Sequence, residues 1–310
     1  AGKDTQNVPG KTKNKTTLNI FIIMYRLKFF AILIITQAFA QAFATVNVIY
    51  NPEDSVEIER WLSEAPSGKT PNELTLYFAN KMIGRPYVAH TLERSYSECL
   101  IINMKELDCT TLVENSAAMA ITAKQGKKRF SDYCDVLRSL RYRNGEITDY
   151  SSRLHYFSEW IKYNEEKGLV EDIGKKGAYP FIAKQIIKAD FMSTNPQYYQ
   201  QLKNDTAMVA KIKEAEMRIS GTAVNYIPKS LLNNGKDLLG EIKDGDIIAL
   251  ITNKKGLEIS HVGIAVWKNG KLHLLNASSL KHKVILDTHT LYEYQKTRKS
   301  QLGIRVIRVY

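Results

Sequence analysis

The chain has 310 residues, 44% hydrophobic and 25% charged, with a formal net charge of +12, so it is long and apolar enough to bury a sizeable core as one large domain or two ordinary ones. Its three cysteines (Cys99, Cys109, Cys134) leave at least one unpaired in a monomer, and no Cys-x-x-Cys or Cys/His cluster has metal-ligand spacing, which argues against a zinc site. Residues 1–44 contribute +5 of the charge, leaving +7 for residues 45–310. That basic balance suits an anionic membrane or an anionic polymer such as cell wall better than nucleic acid, since no nucleic-acid motif or dense Lys/Arg cluster is present.

Residues 24–44 have the three parts of a secretory signal. Arg26 and Lys28 form the basic start, Phe29 to Ile35 the apolar run, and Ala42-Phe43-Ala44 a small-x-small cleavage site. The apolar core is short of the ~20 residues that span a bilayer. Cleavage is therefore expected, with a mature chain from near Thr45. An uncleaved anchor is the alternative, because Phe29–Asn51 carries no charge. Met24 reads as the start of the signal, and residues 1–23 as an extension upstream of it.

Asn51-Pro52-Glu53-Asp54 predicts a helix toward Ala65, with Asn51 as its cap. Thr70-Pro71-Asn72-Glu73 repeats the device, and that helix stops at Gly84. The turn Gly84-Arg85-Pro86-Tyr87 delivers an aromatic ahead of Leu107-Asp108-Cys109-Thr110-Thr111-Leu112-Val113-Glu114, with short extended segments over 91–106 between them. The Leu107–Glu114 run reads as a helix start. Asp108 can accept the free N–H groups of the first turn, and the apolar run to Ala123 supplies a buried body. Cys109 then sits where the helix dipole favours a thiolate. A buried structural cysteine is the plain alternative.

A helix is expected over Lys128–Arg141, with Tyr133, Leu137 and Leu140 on one face. Residues 142–240 read as a mostly helical insertion, with helices before Gly168 and over Asn204–Ile219 and a candidate strand at Thr222–Ile227. From Asp244 the pattern turns to strands: Asp246–Ile251, Ser260–Trp267, Lys271–Asn276, Val284–Leu286 and Gly303–Val309. Helices first and a meander last predict an α+β domain, with helices packed on an antiparallel sheet.

Asn269-Gly270 suits a two-residue type I′ hairpin. In that register Lys268 faces Lys271, Ala265 faces Leu274 and Gly263 faces Asn276, which puts His261 on the same face as Asn276 and diagonal to it. His273 points to the other side. A His base beside an Asn is the second half of a Cys-His-Asn arrangement, and Gly263 leaves room for the ring. The alternative is that His261 only ends a strand and Asn276 begins a turn. Cys109 precedes His261 by 152 positions, close to the roughly 130–150 of papain-like enzymes. Cys99 and Cys134 lack comparable surroundings.

Gly84-Arg85-Pro86-Tyr87, Leu107-Asp108-Cys109-Thr110, Asp244-Gly245-Asp246-Ile247-Ile248, Ser260-His261-Val262-Gly263-Ile264 and Leu275-Asn276-Ala277-Ser278-Ser279 together resemble the ordered motifs of the NlpC-type bacterial cell-wall cysteine hydrolases. The Cys109 run and Arg153-Leu154-His155-Tyr156 resemble the N-acetylmuramoyl-L-alanine amidase-like branch of that superfamily. The likeness covers most of residues 70–310. It implies a papain-like core, with Cys109 as nucleophile, His261 as base and Asn276 as the orienting residue. Tyr87 corresponds to the aromatic bordering the nucleophile. Two positions depart from the pattern: Ala89-His90-Thr91 stands where Trp-Gly-Gly often follows Pro-Tyr, and Asn276 stands where His is common.

The implied protein is an exported peptidoglycan hydrolase of the bacterial periplasm or envelope, a monomer working on stem peptides or muropeptides without metal or other cofactor. It touches membrane only through the signal segment, and only if that segment is uncleaved. The alternatives are a D-glutamyl-diamino acid endopeptidase or a non-catalytic wall-binding module. Asp108 and Ser260 flank the two catalytic positions as candidate substrate contacts. Arg153 and Tyr156 are further candidates, since a polar insertion could supply carboxylate recognition; a solvated helix start is the alternative for that pair.

Overall fold

Caps and prolines set the first helices. In the computed structural model, which describes residues 1, 2, 4 and 47–310, a short strand β1 (Val48–Ile49) precedes α1 (Pro52–Ser63) and α2 (Pro71–Lys81). Both helices start on proline, whose fixed φ and missing N–H suit the first helical position. Before α2, Thr70 Oγ1 accepts the Glu73 N–H at 3.3 Å and the Glu73 carboxylate accepts the Thr70 N–H at 2.9 Å. Asn51, the expected cap of α1, makes no such side-chain bond. Next come β2 (Leu100–Ile101), parallel to β1, then α3 (Cys109–Lys124) and α4 (Phe130–Arg141). The rest of 91–106, expected as extended pieces, includes one 3-10 turn at Thr91–Glu93. The secretory signal expected over 24–44 lies outside the described residues.

Residues 142–240 are more than a helical insertion. They hold α5 (Phe157–Glu166), three strands, β3 (Val170–Asp172), β4 (Ala183–Ile186) and, further on, β5 (Ala223–Pro228), and the helices α6 (Phe191–Thr194), α7 (Thr206–Ile219) and α8 (Lys236–Leu239). The closing part is β6 (Ile247–Thr252), β7 (Ile259–Lys268), β8 (Lys271–Ser278), β9 (Lys283–Thr290), α9 (Leu291–Lys296) and β10 (Gln301–Val309). One antiparallel sheet runs β4-β5-β10-β6-β7-β8-β9, with β3 also on β10. The middle of the chain is therefore woven into the sheet through β3, β4 and β5, and the α+β expectation holds.

β6 is buried along its whole length because the sheet is covered on both faces. Ile247, Ala249 and Ile251 join the core formed with α1 to α5, while Ile248 and Leu250 join a second core with Ile227, Leu272, Leu274 and Leu291. A third cluster, including Tyr156, Met192, Ile212 and Ile219, fills the interior of the woven-in span. Within the first core, α3 packs against α2, α4 and β7. Its body also holds a buried ion pair, in which Arg141 Nε donates to Glu114 Oε2 at 2.7 Å. Among the described residues, no helix is long and apolar enough to cross a membrane.

Candidate active site

Cys109 is the first residue of α3, and Asp108 before it is extended. The Asp108 carboxylate accepts the Thr111 N–H at 2.8 Å, and Thr111 Oγ1 accepts the Asp108 N–H at 2.9 Å. This reciprocal box fixes the start of the helix. It also leaves the N–H groups of Cys109 and Thr110 outside the helix's own ladder.

The hairpin supplies the second half. Asn269 and Gly270 both take positive φ (50° and 69°), as a type I′ turn requires. Lys268 pairs with Lys271 and Ala265 with Leu274, the register read from the sequence. His261 and Asn276 meet: His261 Nε2 and Asn276 Oδ1 are 3.0 Å apart. Asn276 Nδ2 donates to the Leu274 carbonyl, so Oδ1 is the acceptor and the imidazole proton sits on Nε2. Nδ1 is left as the basic nitrogen. Gly263 has a different reason from the one expected. A Cβ there would stand 2.8 Å from the Leu275 carbonyl oxygen and 2.8 Å from Leu274 Cδ1, so glycine is what lets β8 come close.

Cys109 and His261 line one cavity of about 160 Å³, with Thr110, Ser260, His155 and Tyr156 among its walls. The backbone N–H of Val262, next to His261, faces the thiol. The ring of His261 lies nearly parallel to Tyr294, with centroids 6.3 Å apart and planes 18° apart. The Arg298 guanidinium in turn sits 3.7 Å from the Tyr294 ring centre. Burial holds the imidazole below its ordinary 6.5, Arg298 acts in the same direction, and the bond to Asn276 opposes both.

The thiol is not the ready thiolate that the helix start alone suggests. Burial, and then the Asp108 carboxylate, push Cys109 up to about 11; the Val262 and Thr110 bonds offset this only in part. The resting pair at neutral pH is thus a thiol and a neutral imidazole. The other two cysteines, Cys99 and Cys134, are buried.

A family model described as AmiA-like, N-acetylmuramoyl-L-alanine amidase-like, matches residues 77–304. The chain belongs to this family. A solved N-acetylmuramoyl-L-alanine amidase from Bacteroides uniformis is 40% identical with a TM-score of 0.72, covering 77% of this chain and 99% of its own. A Bacteroides fragilis protein, solved under a provisional xylanase name, is 44% identical with a TM-score of 0.71, covering 76% of this chain and 100% of its own. A Legionella pneumophila structure at 21% identity and a TM-score of 0.62, covering 83% of this chain and 94% of its own, shares the fold. Among curated proteins no relative matches.

The remaining expected contacts of this amidase-like chain fare unequally. Tyr87 bridges to Leu107, and burial, followed by the neighbouring Cys109 and Asp108 side chains, pushes its hydroxyl up to about 12, so it stays a neutral phenol. Ser260 lines the cavity, and its Oγ donates weakly to the Leu250 carbonyl. Tyr156 also lines it, but its hydroxyl is committed: it donates to Glu216 Oε1 at 2.7 Å and accepts the Met192 N–H at 3.1 Å. The Asp108 carboxylate is occupied by the helix cap. Arg153 is not brought to the cavity. It is buried, and its guanidinium forks onto Glu98 at 2.9 and 2.8 Å.

Tyr294 and His155 join the site without having been assigned a place in it. Thr290 and Glu293 form a capping box that starts α9 and sets Tyr294, a pattern visible in the sequence. His155 lines the cavity, and its Nε2–H donates to the Tyr150 carbonyl at 2.7 Å, leaving Nδ1 as a pure acceptor. Burial, then Arg153, hold it down at about 3, so it stays neutral across the physiological range. Replacing His155 by alanine should raise KM by about tenfold, the value of one good hydrogen bond, and leave the pH limbs of kcat/KM where they were. A pH–rate series on both proteins checks this; a lost limb would make His155 a proton carrier instead. Among the described residues, no group of three or more His, Cys, Asp and Glu side chains is placed to hold a metal ion.

Proposed function

We propose that this chain is an exported peptidoglycan amidase that cleaves the bond between the muramic lactyl group and L-alanine by a Cys109-His261-Asn276 mechanism. The observation that carries the reading is the His261–Asn276 hydrogen bond, made by an imidazole lining the same cavity as a helix-start cysteine in an N-acetylmuramoyl-L-alanine amidase-like chain. A helix that begins with the nucleophile and packs on an antiparallel sheet carrying base and orienter supports a papain-like core within the NlpC-type superfamily. Residues 45–310 form the mature domain in this reading, and the basic signal at 24–44 exports it to the envelope.

Nδ1 of His261 takes the Cys109 proton as sulfur attacks the amide carbonyl carbon. The oxyanion of the tetrahedral intermediate is held by the N–H groups of Cys109 and Thr110. His261 then gives its proton to the leaving amine of L-alanine, and the C–N bond breaks to leave a lactyl thioester on sulfur. Next, His261 takes a proton from water, the hydroxide attacks the thioester, and the lactyl acid and the thiol are released. Asn276 keeps the imidazole in the Nε2–H tautomer throughout.

Weighing the products from purified protein and muropeptides tests the bond assignment. A disaccharide ending in a lactyl acid, together with an intact stem peptide, is expected. A shortened stem still attached to sugar would replace this reading with the D-glutamyl endopeptidase. Asn276→Ala should lower kcat by about 10²-fold, the lower end of what a positioned acid–base group contributes, measured under saturating substrate. An unchanged kcat would remove Asn276 from the mechanism.

A further inference from the structure

Residues 173–189 hold four lysines (Lys175, Lys176, Lys184, Lys188) and no Asp or Glu. They carry the chain from the end of β3 through β4, the last strand of the sheet on its side. Phe181, Ile187 and Ala189 are buried, whereas Ile182, Lys184, Ile186 and Lys188 are exposed. Lys184 pairs with Asn225 of β5 and Ile186 with Ala223, so these four side chains share one face. Asn225 Nδ2 donates to the Gly174 and Lys175 carbonyls, both at 3.2 Å, which lays the Lys175-Lys176 turn against that face. Lys162 of α5 joins from the side, because it borders one cavity with Lys175, Ala223 and Asn225.

Most of these cations are uncommitted. Lys175 pairs with Glu165 at 3.3 Å, while Lys162, Lys176, Lys184 and Lys188 make no ion pair among the described residues. Apolar side chains stand among them: Tyr179, Ile182 and Ile186 are 56%, 57% and 53% exposed. Lysines alone would be the ordinary protection of an open sheet edge. Exposed isoleucines beside a tyrosine work against that protection, so the face has another use. A second copy of the chain would bring lysine against lysine. A wall polymer answers the charge but offers isoleucine no apolar phase. An anionic lipid surface answers both, since lysines reach its phosphates while tyrosine and isoleucine enter the boundary between headgroups and acyl chains.

We propose that this face of β4, with Lys176, Lys184 and Lys188 around Tyr179, Ile182 and Ile186, docks the folded domain onto an anionic phospholipid bilayer. The sequence read alone places membrane contact only in the signal segment; this contact is separate from it. None of the six side chains lines the active cavity, so docking leaves the cavity unoccupied and does not depend on which bond is cut.

The test mixes the protein with vesicles of equal parts phosphatidylglycerol and phosphatidylcholine. Residues 47–310 form a compact unit of their own, so they can be sedimented with vesicles in the absence of the signal segment. Saturable binding is expected. Replacing three cations together (Lys176→Gln, Lys184→Gln, Lys188→Gln) should weaken it about 10²-fold, at about fivefold per lysine. Ile182→Ser with Ile186→Ser should weaken it about tenfold. All five positions are exposed, so both variants should fold and turn over soluble muropeptides at the wild-type rate. In the full chain, the vesicles should slow acetylation of Lys184 and Lys188 but not of Lys281, which lies between β8 and β9 at the far end of the sheet. Absent binding, binding that ignores either set of substitutions, or acetylation slowed equally at all three lysines would overturn the proposal. So would tighter retention by purified sacculi than by vesicles, which would give the face to the wall polymer. Muropeptide digestion reads the bond assignment separately, so a failure there leaves the vesicle result standing, and the reverse.

Discussion

Cys109→Ala should lower kcat on muropeptides by about 10⁴-fold or more, since the proposed covalent mechanism without its nucleophile keeps only oxyanion and binding contributions. The same residue should stand apart in alkylation. Cys99 and Cys134 are 5% and 9% exposed, whereas Cys109 is only half-buried, so iodoacetamide should label Cys109 first. Its pH dependence discriminates between two resting states. A preformed thiolate–imidazolium pair would react at a flat rate from pH 6 upward. With the thiol pushed up to about 11, the rate should instead climb about tenfold per pH unit between 7 and 10. In the proposed mechanism the acid side is set by His261, which must be neutral to accept the proton. Its pKa is held below 6.5, so kcat/KM should fall only as pH drops below that value. A Cys109→Ala protein that still hydrolyses cell wall, or an alkylation rate flat with pH, would sink the respective claim.

How far the site was legible follows from how local its causes are. Asp108, three residues from Thr111, and the Asn269-Gly270 turn are short-range signals, and from them the helix start and the His261–Asn276 meeting can be read in the sequence alone. The protonation state of Cys109 could not. The helix dipole is local, but the burial that raises the thiol comes from β7 and the surrounding walls, and the carboxylate that caps the helix also opposes the thiolate. Arg153 is a similar case. Its position ahead of a helix suggested a free cation, while its partner Glu98 lies 55 residues away. Tyr156 likewise answers to Glu216, 60 residues on. Lys184 and Gln185 make the strand Ala183–Ile186 too polar and too short to announce itself, and only pairing with β5 fixes it. Elements set by nearby residues were readable; those set by distant polar partners were not.

Glu114→Gln should destabilise the protein by about 3–5 kcal/mol, the cost of leaving a buried cation without its counter-charge. The Glu114 and Arg141 side chains are each 2% exposed. Arg141 Nε donates to Glu114 at 2.7 Å, and its Nη1 donates to the Ile101 carbonyl at 2.7 Å. Burial raises the carboxyl's pKa and Arg141 opposes that. Glutamine keeps the shape and one hydrogen bond but removes the charge, so the loss measures the pair rather than a cavity. For a chain of this size the midpoint of thermal unfolding should fall by about 10 °C. Replacing both partners, as Glu114→Leu with Arg141→Met, should cost less than Glu114→Gln alone, because no unpaired charge is then buried. A double-mutant cycle by thermal denaturation reads the coupling; a single-variant shift below about 1 kcal/mol would mean that Arg141 finds another partner or water. Glu114 lies on the body of α3 facing α4, outside the cavity that holds Cys109 and His261. Loss of stability without loss of kcat at low temperature would therefore separate what holds α3 in place from the reaction proposed at its first residue.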